Sequence, residues 1–167
     1  MARGGFTLVE ILIALAILGI LLVMSVSTFQ GMNEKYRVEA ETKQLYADLM
    51  EARGRAVQRN RVHFVRLSVG GNVYATYDDT NTPPDGNGAF DNAVDSQIAN
   101  AVMTHAVATN LPVAGGVASF EFNRNGIASS AGYIRLSSTA QADYDCITIV
   151  PTRIKMGQFN GGNCVEK

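Results

Sequence analysis

Apolar residues are spread very unevenly along this chain, with one dense block close to its start. The run from Ile11 to Val23 contains only Ile, Leu, Ala, Val and Gly, and Glu10 is the one ionisable residue between Gly4 and Asn33. At about 1.5 Å per residue, a helix over residues 6–29 can cross a hydrocarbon core of about 30 Å. The pattern predicts a membrane-spanning helix at 6–29, preceded by a short segment at 1–5.

From Asn33 onward the chain keeps helical spacing but becomes polar on most positions. The apolar positions that recur every three or four residues are Tyr36, Leu45, Leu49, Ala52 and Ala56. No proline precedes Pro83, and Gly31 and Gly54 are the weakest helix formers in this part. The pattern predicts that the first helix continues over residues 30–61 with one apolar stripe facing its own domain.

Beyond residue 61 the period changes to that of short β-strands separated by turn signals. Gly70-Gly71-Asn72 and Asn123-Arg124-Asn125-Gly126 are the clearest turns. Residues 91–111 are ambiguous between a short helix and an extended segment. The predicted strands lie at 62–69, 73–77, 117–122, 133–136, 146–150 and 153–156. The fold class that follows is α+β, a long N-terminal helix packed on a small antiparallel sheet domain at 62–167.

Candidate chemistry is sparse in this domain. The net charge is −1, which implies no global electrostatic partner, and no phosphate-binding glycine motif occurs. His63 and His105 have no ligand or triad residue at a typical spacing, so we expect no catalysis, no metal centre and no cofactor. The acidic loop at 78–92 carries Asp78, Asp79, Asp85 and Asp91, which could offer oxygens to Ca²⁺, but its spacing does not match an EF-hand. A solvated loop is the favoured interpretation.

Cys146 and Cys164 are the two cysteines, and both lie near the C-terminus. An exported domain in an oxidising compartment would pair them, whereas a cytosolic chain would keep two free thiols. Since the apolar helix implies export, we expect a disulfide that closes a loop at the end of the domain.

Glu10 is the most informative residue of the apolar segment, because a carboxylate in a membrane helix needs a partner. The run Arg3-Gly4-Gly5-Phe6-Thr7-Leu8-Val9-Glu10 resembles the processing motif of type IV pilins and type II secretion pseudopilins. The resemblance implies cleavage by a prepilin peptidase between Gly5 and Phe6, and N-methylation of Phe6. It also implies that Glu10 registers an incoming subunit by meeting the Phe6 amine of a neighbour.

A second, looser resemblance covers the C-terminal part. The segments 120–126 and 147–154 resemble the GspH/FimT group of minor pseudopilins and minor pilins. The resemblance implies a structural subunit, held in the inner membrane with a periplasmic domain, that assembles with other pilins or pseudopilins. It leaves open whether the filament is a type IV pilus or a type II secretion pseudopilus.

Three alternatives remain at this point. The domain could be a pilus-displayed DNA receptor, with Arg124, Arg135, Arg153 and Lys155 contacting phosphates, although a dense basic stripe is missing. It could be a membrane-anchored enzyme with an uncleaved helix. The apolar run could also be a secretory signal peptide, but it is longer than a typical h-region and Met24-Ser25-Val26-Ser27 is a poor cleavage site.

Overall fold

The computed structural model describes Gly5, residues 7–81 and residues 86–167, and for residues 23–30 it describes the backbone only. One helix and ten strands follow one another along the chain. They are α1 (Leu8–Arg59), β1 (His63–Ser68), β2 (Val73–Asp78), β3 (Ser96–Val102), β4 (Ala106–Thr109), β5 (Val113–Ala114), β6 (Val117–Phe122), β7 (Gly132–Ser137), β8 (Cys146–Val150), β9 (Arg153–Phe159) and β10 (Cys164–Glu166).

The long helix runs through both predicted segments without a break, including Gly31 and Gly54. It begins at a capping box, in which Thr7 accepts a hydrogen bond from the Glu10 backbone and Glu10 reaches back to the Thr7 backbone. It ends at Asn60, which adopts the left-handed conformation that commonly closes a helix. The prediction of one continuous helix is therefore confirmed.

The strands form two five-stranded antiparallel sheets, whereas the sequence predicted one sheet. The first has the order β3-β2-β1-β6-β5 and the second the order β10-β9-β8-β7-β4. A parallel bridge between Val69 and Val107 joins them. The prediction that the chain continues one sheet after the turn at 123–126 is wrong, because β7 pairs with β8 and β4 in the second sheet.

The ambiguous segment at 91–111 is extended rather than helical. It supplies β3 at the edge of the first sheet and β4 at the edge of the second. The turn at 123–126 forms as predicted, with the Gly126 amide donating to the Asn123 carbonyl. Gly126 has φ +71°, and a Cβ atom there would lie 2.9 Å from the Val57 side chain, so glycine is required on both counts.

The core lies where α1 crosses both sheets. The helix contacts β1, β2 and β6 of the first sheet and β8 and β9 of the second. Its buried apolar positions are Val38, Leu45, Leu49, Ala52 and Ala56. Tyr36 was predicted to belong to this stripe but is 60% exposed, and Val38 takes its place. Facing residues of the sheets complete the core, among them Val65, Leu67, Phe122, Ile134, Leu136, Ile147 and Ile149.

Candidate assembly site

The N-terminal part of α1 projects from the domain with its apolar side chains uncovered. Every side chain from Leu8 to Leu22 is exposed, for example Leu8 at 74% and Leu22 at 63%. A contiguous apolar surface of this kind marks a site that another protein or a membrane covers. Across the residues that the structure describes, no helix is both long and apolar enough to span a membrane.

Glu10 lies in this apolar surface, one turn into the helix. Its backbone amide donates to Thr7 Oγ1 at 3.2 Å, and its carboxylate accepts from the Thr7 amide at 3.5 Å. Glu10 also lines a shallow apolar groove of ≈ 280 Å³ together with Ile11, Ala14 and Leu15. The side chain is thus held at the helix start and accessible from outside, which suits an acid that meets a group on another molecule.

The predicted contact of Glu10 with the Phe6 amine of a neighbouring subunit involves residues that lie outside the described part of the chain. Phe6, which carries the predicted cleavage and methylation, is among them, while Gly5 on the other side of the scissile bond is described and exposed. The cleavage at Gly5 and Phe6, the methylation of Phe6 and the registering role of Glu10 therefore stay predictions.

Polar contacts hold α1 where it enters the domain. We use the name collar for the four residues that form them, Glu34, Glu41, Thr104 and His105. His105, in the turn between β3 and β4, lies between two carboxylates of the helix. Its Nε2 is 2.7 Å from Glu34 Oε1 and its Nδ1 is 2.8 Å from Glu41 Oε2. The backbone amides of Thr104 and His105 also donate to Glu41. Next to Glu34 in the sequence, Lys35 pairs with Asp143 at 3.0 Å.

The pKa shifts of the three titratable groups in the collar all favour their charged forms. Burial alone lowers the pKa of His105, but its hydrogen bonds to Glu34 and Glu41 outweigh that effect and raise the pKa. The hydrogen bond from His105 lowers the pKa of Glu34. For Glu41, desolvation raises the pKa, and the bonds from His105 and Thr104 more than reverse this. The three groups thus favour a charged histidine between two carboxylates.

The predicted disulfide is present at the opposite end of the chain. Cys146 on β8 and Cys164 on β10 are bonded, with their Cα atoms 5.9 Å apart. The bond ties the short edge strand β10 to the middle of the second sheet, so the C-terminal segment is fixed to the domain.

Two family models match this sequence. One, described as type II transport protein GspH, matches residues 41–152. The other, described as the prokaryotic N-terminal methylation motif, matches residues 1–26. The first match spans well over half of the chain and decides the family.

The chain belongs to the GspH family. With the methylation motif, this makes it a structural subunit of the pseudopilin class, and the resemblance to pseudopilins found in the sequence is confirmed. No curated protein sequence matches the chain. Among solved structures, it is similar to the minor pseudopilin EpsH from the type 2 secretion system of Vibrio cholerae, with a TM-score of 0.52 and 11% identity. That likeness covers 73% of this chain and 97% of EpsH, and it confirms the α+β pilin-like fold.

The four basic residues predicted to contact nucleic acid do not act as one group in this GspH-family chain. Arg153 and Lys155 on β9 both pair with Glu166, at 3.3 and 2.7 Å. Arg135 on β7 stacks on Phe159 with 4.2 Å between its guanidinium carbon and the ring centroid. Arg124 is exposed in the turn at 123–126, and none of the comparisons supports the DNA-binding alternative.

The acidic loop uses its carboxylates to hold its own backbone. Asp79 accepts from the amides of Asn87 and Gly88, at 3.1 and 2.6 Å, and Asp91 accepts from Ala93. Asp78 pairs instead with Arg59 of the helix at 2.6 Å. Asp85 lies outside the described residues, and within the described part no group of His, Cys, Asp and Glu is arranged to hold a metal ion.

Sequence reasoning missed the roles of both histidines. His63 is fully buried with Nδ1 3.6 Å from Asp78 Oδ1, and burial lowers its pKa despite that carboxylate. His105 is the centre of the collar. Glu34 and Glu41 are seven residues apart and share a helix face, but nothing local in the sequence connects them to residue 105.

Proposed function

We propose that this GspH-family chain is a minor pseudopilin that builds or initiates a type II secretion pseudopilus. The observation that carries the proposal is an exposed, apolar first half of α1 with a single acid, Glu10, joined to a domain whose sequence matches the GspH family. We expect a structural role without catalysis. Its partners are other pseudopilins, and the family match favours a secretion pseudopilus over a type IV pilus.

The N-terminal match supports the life cycle that we propose. A prepilin peptidase cuts between Gly5 and Phe6 and methylates the new amine of Phe6. Before assembly, residues 6–29 hold the chain in the inner membrane with the domain at 62–167 in the periplasm. On assembly the apolar helices of neighbouring subunits cover one another, which removes their surface from lipid, and Glu10 is neutralised by a neighbour's Phe6 amine.

A clean deletion in the native host tests the proposal. It is complemented with wild type, with Glu10→Ala and with Glu51→Ala as a matched control, because Glu51 lies on the same helix and forms a surface ion pair with Arg55. We expect loss of secreted proteins in the deletion, rescue by wild type and Glu51→Ala, and no rescue by Glu10→Ala. Normal secretion with lost surface pili would move the chain to a type IV pilus. Full rescue by Glu10→Ala would overturn the assembly mechanism.

Mass spectrometry of the N-terminal peptide tests processing separately. The expected mature terminus is a methylated Phe6, and Gly5→Asp should leave residues 1–5 attached. An unprocessed wild-type chain that still supports secretion would contradict the proposed cleavage.

DNA binding stays outside this proposal because two of its four candidate residues are already paired with Glu166. A shift assay with double-stranded DNA at low and high salt checks this, and we expect no salt-dependent shift.

A further inference from the structure

Arg135 is a basic residue for which no ion pair is found among the described residues, although it is partly buried. Its guanidinium is stacked on Phe159, whose ring also contacts Tyr133 at 5.2 Å between centroids. Its Nε is buried and has no hydrogen-bond partner. No carboxylate among the described residues lies within ion-pair distance of it, in contrast to Lys35, Arg59 and Lys155. A guanidinium that lacks a hydrogen-bond acceptor within the domain is stabilised when a ligand in the adjoining cavity supplies one to its other nitrogens.

A cavity of ≈ 570 Å³ opens in front of Arg135. The loop between β7 and β8 forms one wall, and the β9–β10 hairpin forms the other. Hydroxyl and amide side chains dominate its lining, including Ser138, Thr139, Gln141, Gln158 and Asn160. Lys167 also lines it, at the rim, where it lies 3.6 Å from Asp143. A ring-stacked guanidinium beside side-chain amides can bind a carboxylate and the peptide group next to it.

The carboxylate of Asp145, which lines the cavity, limits the kind of anion that can bind there. Asp145 lines the same cavity, and its Oδ1 accepts a hydrogen bond from the Phe159 amide at 2.7 Å. The negative charge of Asp145 opposes a phosphate dianion more strongly than a singly charged carboxylate. The cavity therefore suits a carboxylate better than a phosphate group or a nucleic-acid backbone.

The position of the cavity in the fold points to the partner. The loop between β7 and β8, which lines the cavity, is hydrogen-bonded to α1. Glu34 accepts a hydrogen bond from the Ser138 hydroxyl at 3.4 Å, and Glu39 accepts one from the Asp143 amide at 3.0 Å. The cavity thus lies at the end of the domain from which the exposed half of the helix leaves. If the apolar helices of neighbouring subunits pack side by side as proposed above, that end of the domain lies close to the point where neighbouring subunits meet.

We propose that this cavity binds an aspartate or glutamate side chain of the neighbouring subunit, with Arg135 as the specificity-determining contact. The carboxylate selectivity rests on the geometry of the cavity, and the choice of a neighbouring subunit as its source rests on the proposed function. The contact is distinct from the one at Glu10, because it joins the periplasmic domains rather than the apolar helices.

Binding is tested on the full ¹⁵N-labelled chain in detergent micelles, with the Nε–H resonance of Arg135 as the readout. The probes are N-acetyl-aspartate amide and its uncharged match, N-acetyl-asparagine amide. We expect a saturable shift of the resonance with the aspartate probe and none with the asparagine probe. The inference is overturned if neither probe moves the resonance or if both move it equally.

Three variants distinguish a specific contact of Arg135 with the carboxylate from nonspecific attraction by positive charge. Binding is followed by the backbone amide resonances of residues 138–141. Arg135→Gln should abolish binding of the aspartate probe, and Arg124→Gln, an exposed arginine outside the cavity, should leave it unchanged. Arg135→Lys keeps the charge but loses the planar fork, so we expect affinity to fall about tenfold in a chain that stays folded. Equal affinity for Arg135→Lys and wild type would contradict a contact that depends on the guanidinium.

The source of the carboxylate is tested in cells. A photocrosslinking amino acid replaces Thr139, which is exposed at the cavity. We expect a crosslink to another pseudopilin that is lost when one acidic residue of that subunit is changed to its amide. A crosslink only to an exported protein would overturn the neighbour assignment. Failure of Glu10→Ala to impair assembly would overturn the proposed function, whereas the probe-binding result would stand.

Discussion

The two halves of α1 form one unbroken helix but have opposite surroundings. From Leu8 to Leu22 every side chain is exposed and nearly all are apolar. From Val38 to Ala56 one apolar stripe is fully buried against two sheets, and the remaining positions are mostly polar. The first half therefore has an all-round apolar surface and the second is amphipathic. The difference shows that the second half of the helix packs on its own domain and the first half does not. The collar lies at the boundary between the two halves.

The strongest effect that we expect is a loss of stability when a buried side chain in the packed half of the helix is truncated. Leu49 is fully buried, so Leu49→Ala should lower the free energy of unfolding of the domain by about 2–5 kcal/mol. Leu12 is 58% exposed, so Leu12→Ala should change it by less than about 0.5 kcal/mol. Urea denaturation of the full chain in mild detergent, followed by tyrosine fluorescence, measures both. Similar losses for the two variants would mean that the halves unfold as one unit.

Removing the disulfide should also destabilise only the packed half. The bond joins residues 18 apart in the sequence, and a loop of that size is worth roughly 3 kcal/mol in the chain-entropy model. The variant is Cys146→Ser combined with Cys164→Ser, and the same denaturation measures it. Wild-type chain kept reduced is the control and should lose about as much. A double variant as stable as the oxidised chain would show that the fold of the second sheet does not need the bond.

The collar should make the boundary between the halves sensitive to pH. The folded pKa of His105 is raised, so its stabilisation is complete below the unfolded pKa of about 6.5 and is lost as pH rises through the folded pKa. The folded pKa values of Glu34 and Glu41 are lowered, so their stabilisation is complete above about 4.3 and is lost as pH falls through the folded pKa. The collar is therefore strongest between these limits.

His105→Gln tests this pH window. The difference in unfolding free energy between wild type and His105→Gln should be largest near pH 5–6 and should shrink toward both pH 3 and pH 9. Glu51→Gln, whose residue forms a surface pair with Arg55, should give a much flatter difference over that range. A difference for His105→Gln that did not vary with pH would show that the histidine is not charged in the fold.

Local patterns were sufficient to predict the elements that depend on local spacing. The continuous helix, the strands β1, β2, β6 and β8, the turn at 123–126 and the disulfide all follow from hydrophobic period, turn residues or cysteine count. Strand partners were not predictable in this way. β7 is the next strand after β6 in the sequence, yet it pairs in the other sheet. Local propensity carries little information on strand partners, because it depends strongly on tertiary context.

Long-range polar contacts were equally out of reach. The collar joins residues about 64 to 71 positions apart, and the stacking of Arg135 on Phe159 joins two strands that are not neighbours in sequence. A single histidine or arginine is not part of a repeating sequence pattern, so the sequence around it does not indicate its partner. The Thr7–Glu10 capping box is the opposite case, because its two residues lie three positions apart at the start of an apolar run and are readable directly.

The weakest effect that we expect comes from replacing a glycine with alanine in each half of the helix. Gly54 lies in the packed half and Gly19 in the exposed half, and at both positions a Cβ atom would meet nothing within 4 Å. Gly→Ala in a helix interior stabilises by about 0.5–1 kcal/mol where the helix is lost on unfolding. Gly54→Ala should therefore raise the stability of the domain by that amount in urea denaturation. Gly19→Ala should change it much less, because the side chains from Leu8 to Leu22 are exposed rather than packed on the sheets. If Gly19→Ala stabilised the domain as much as Gly54→Ala, cooperative unfolding would extend through the collar into the exposed half, and the collar would be a coupling element rather than a boundary.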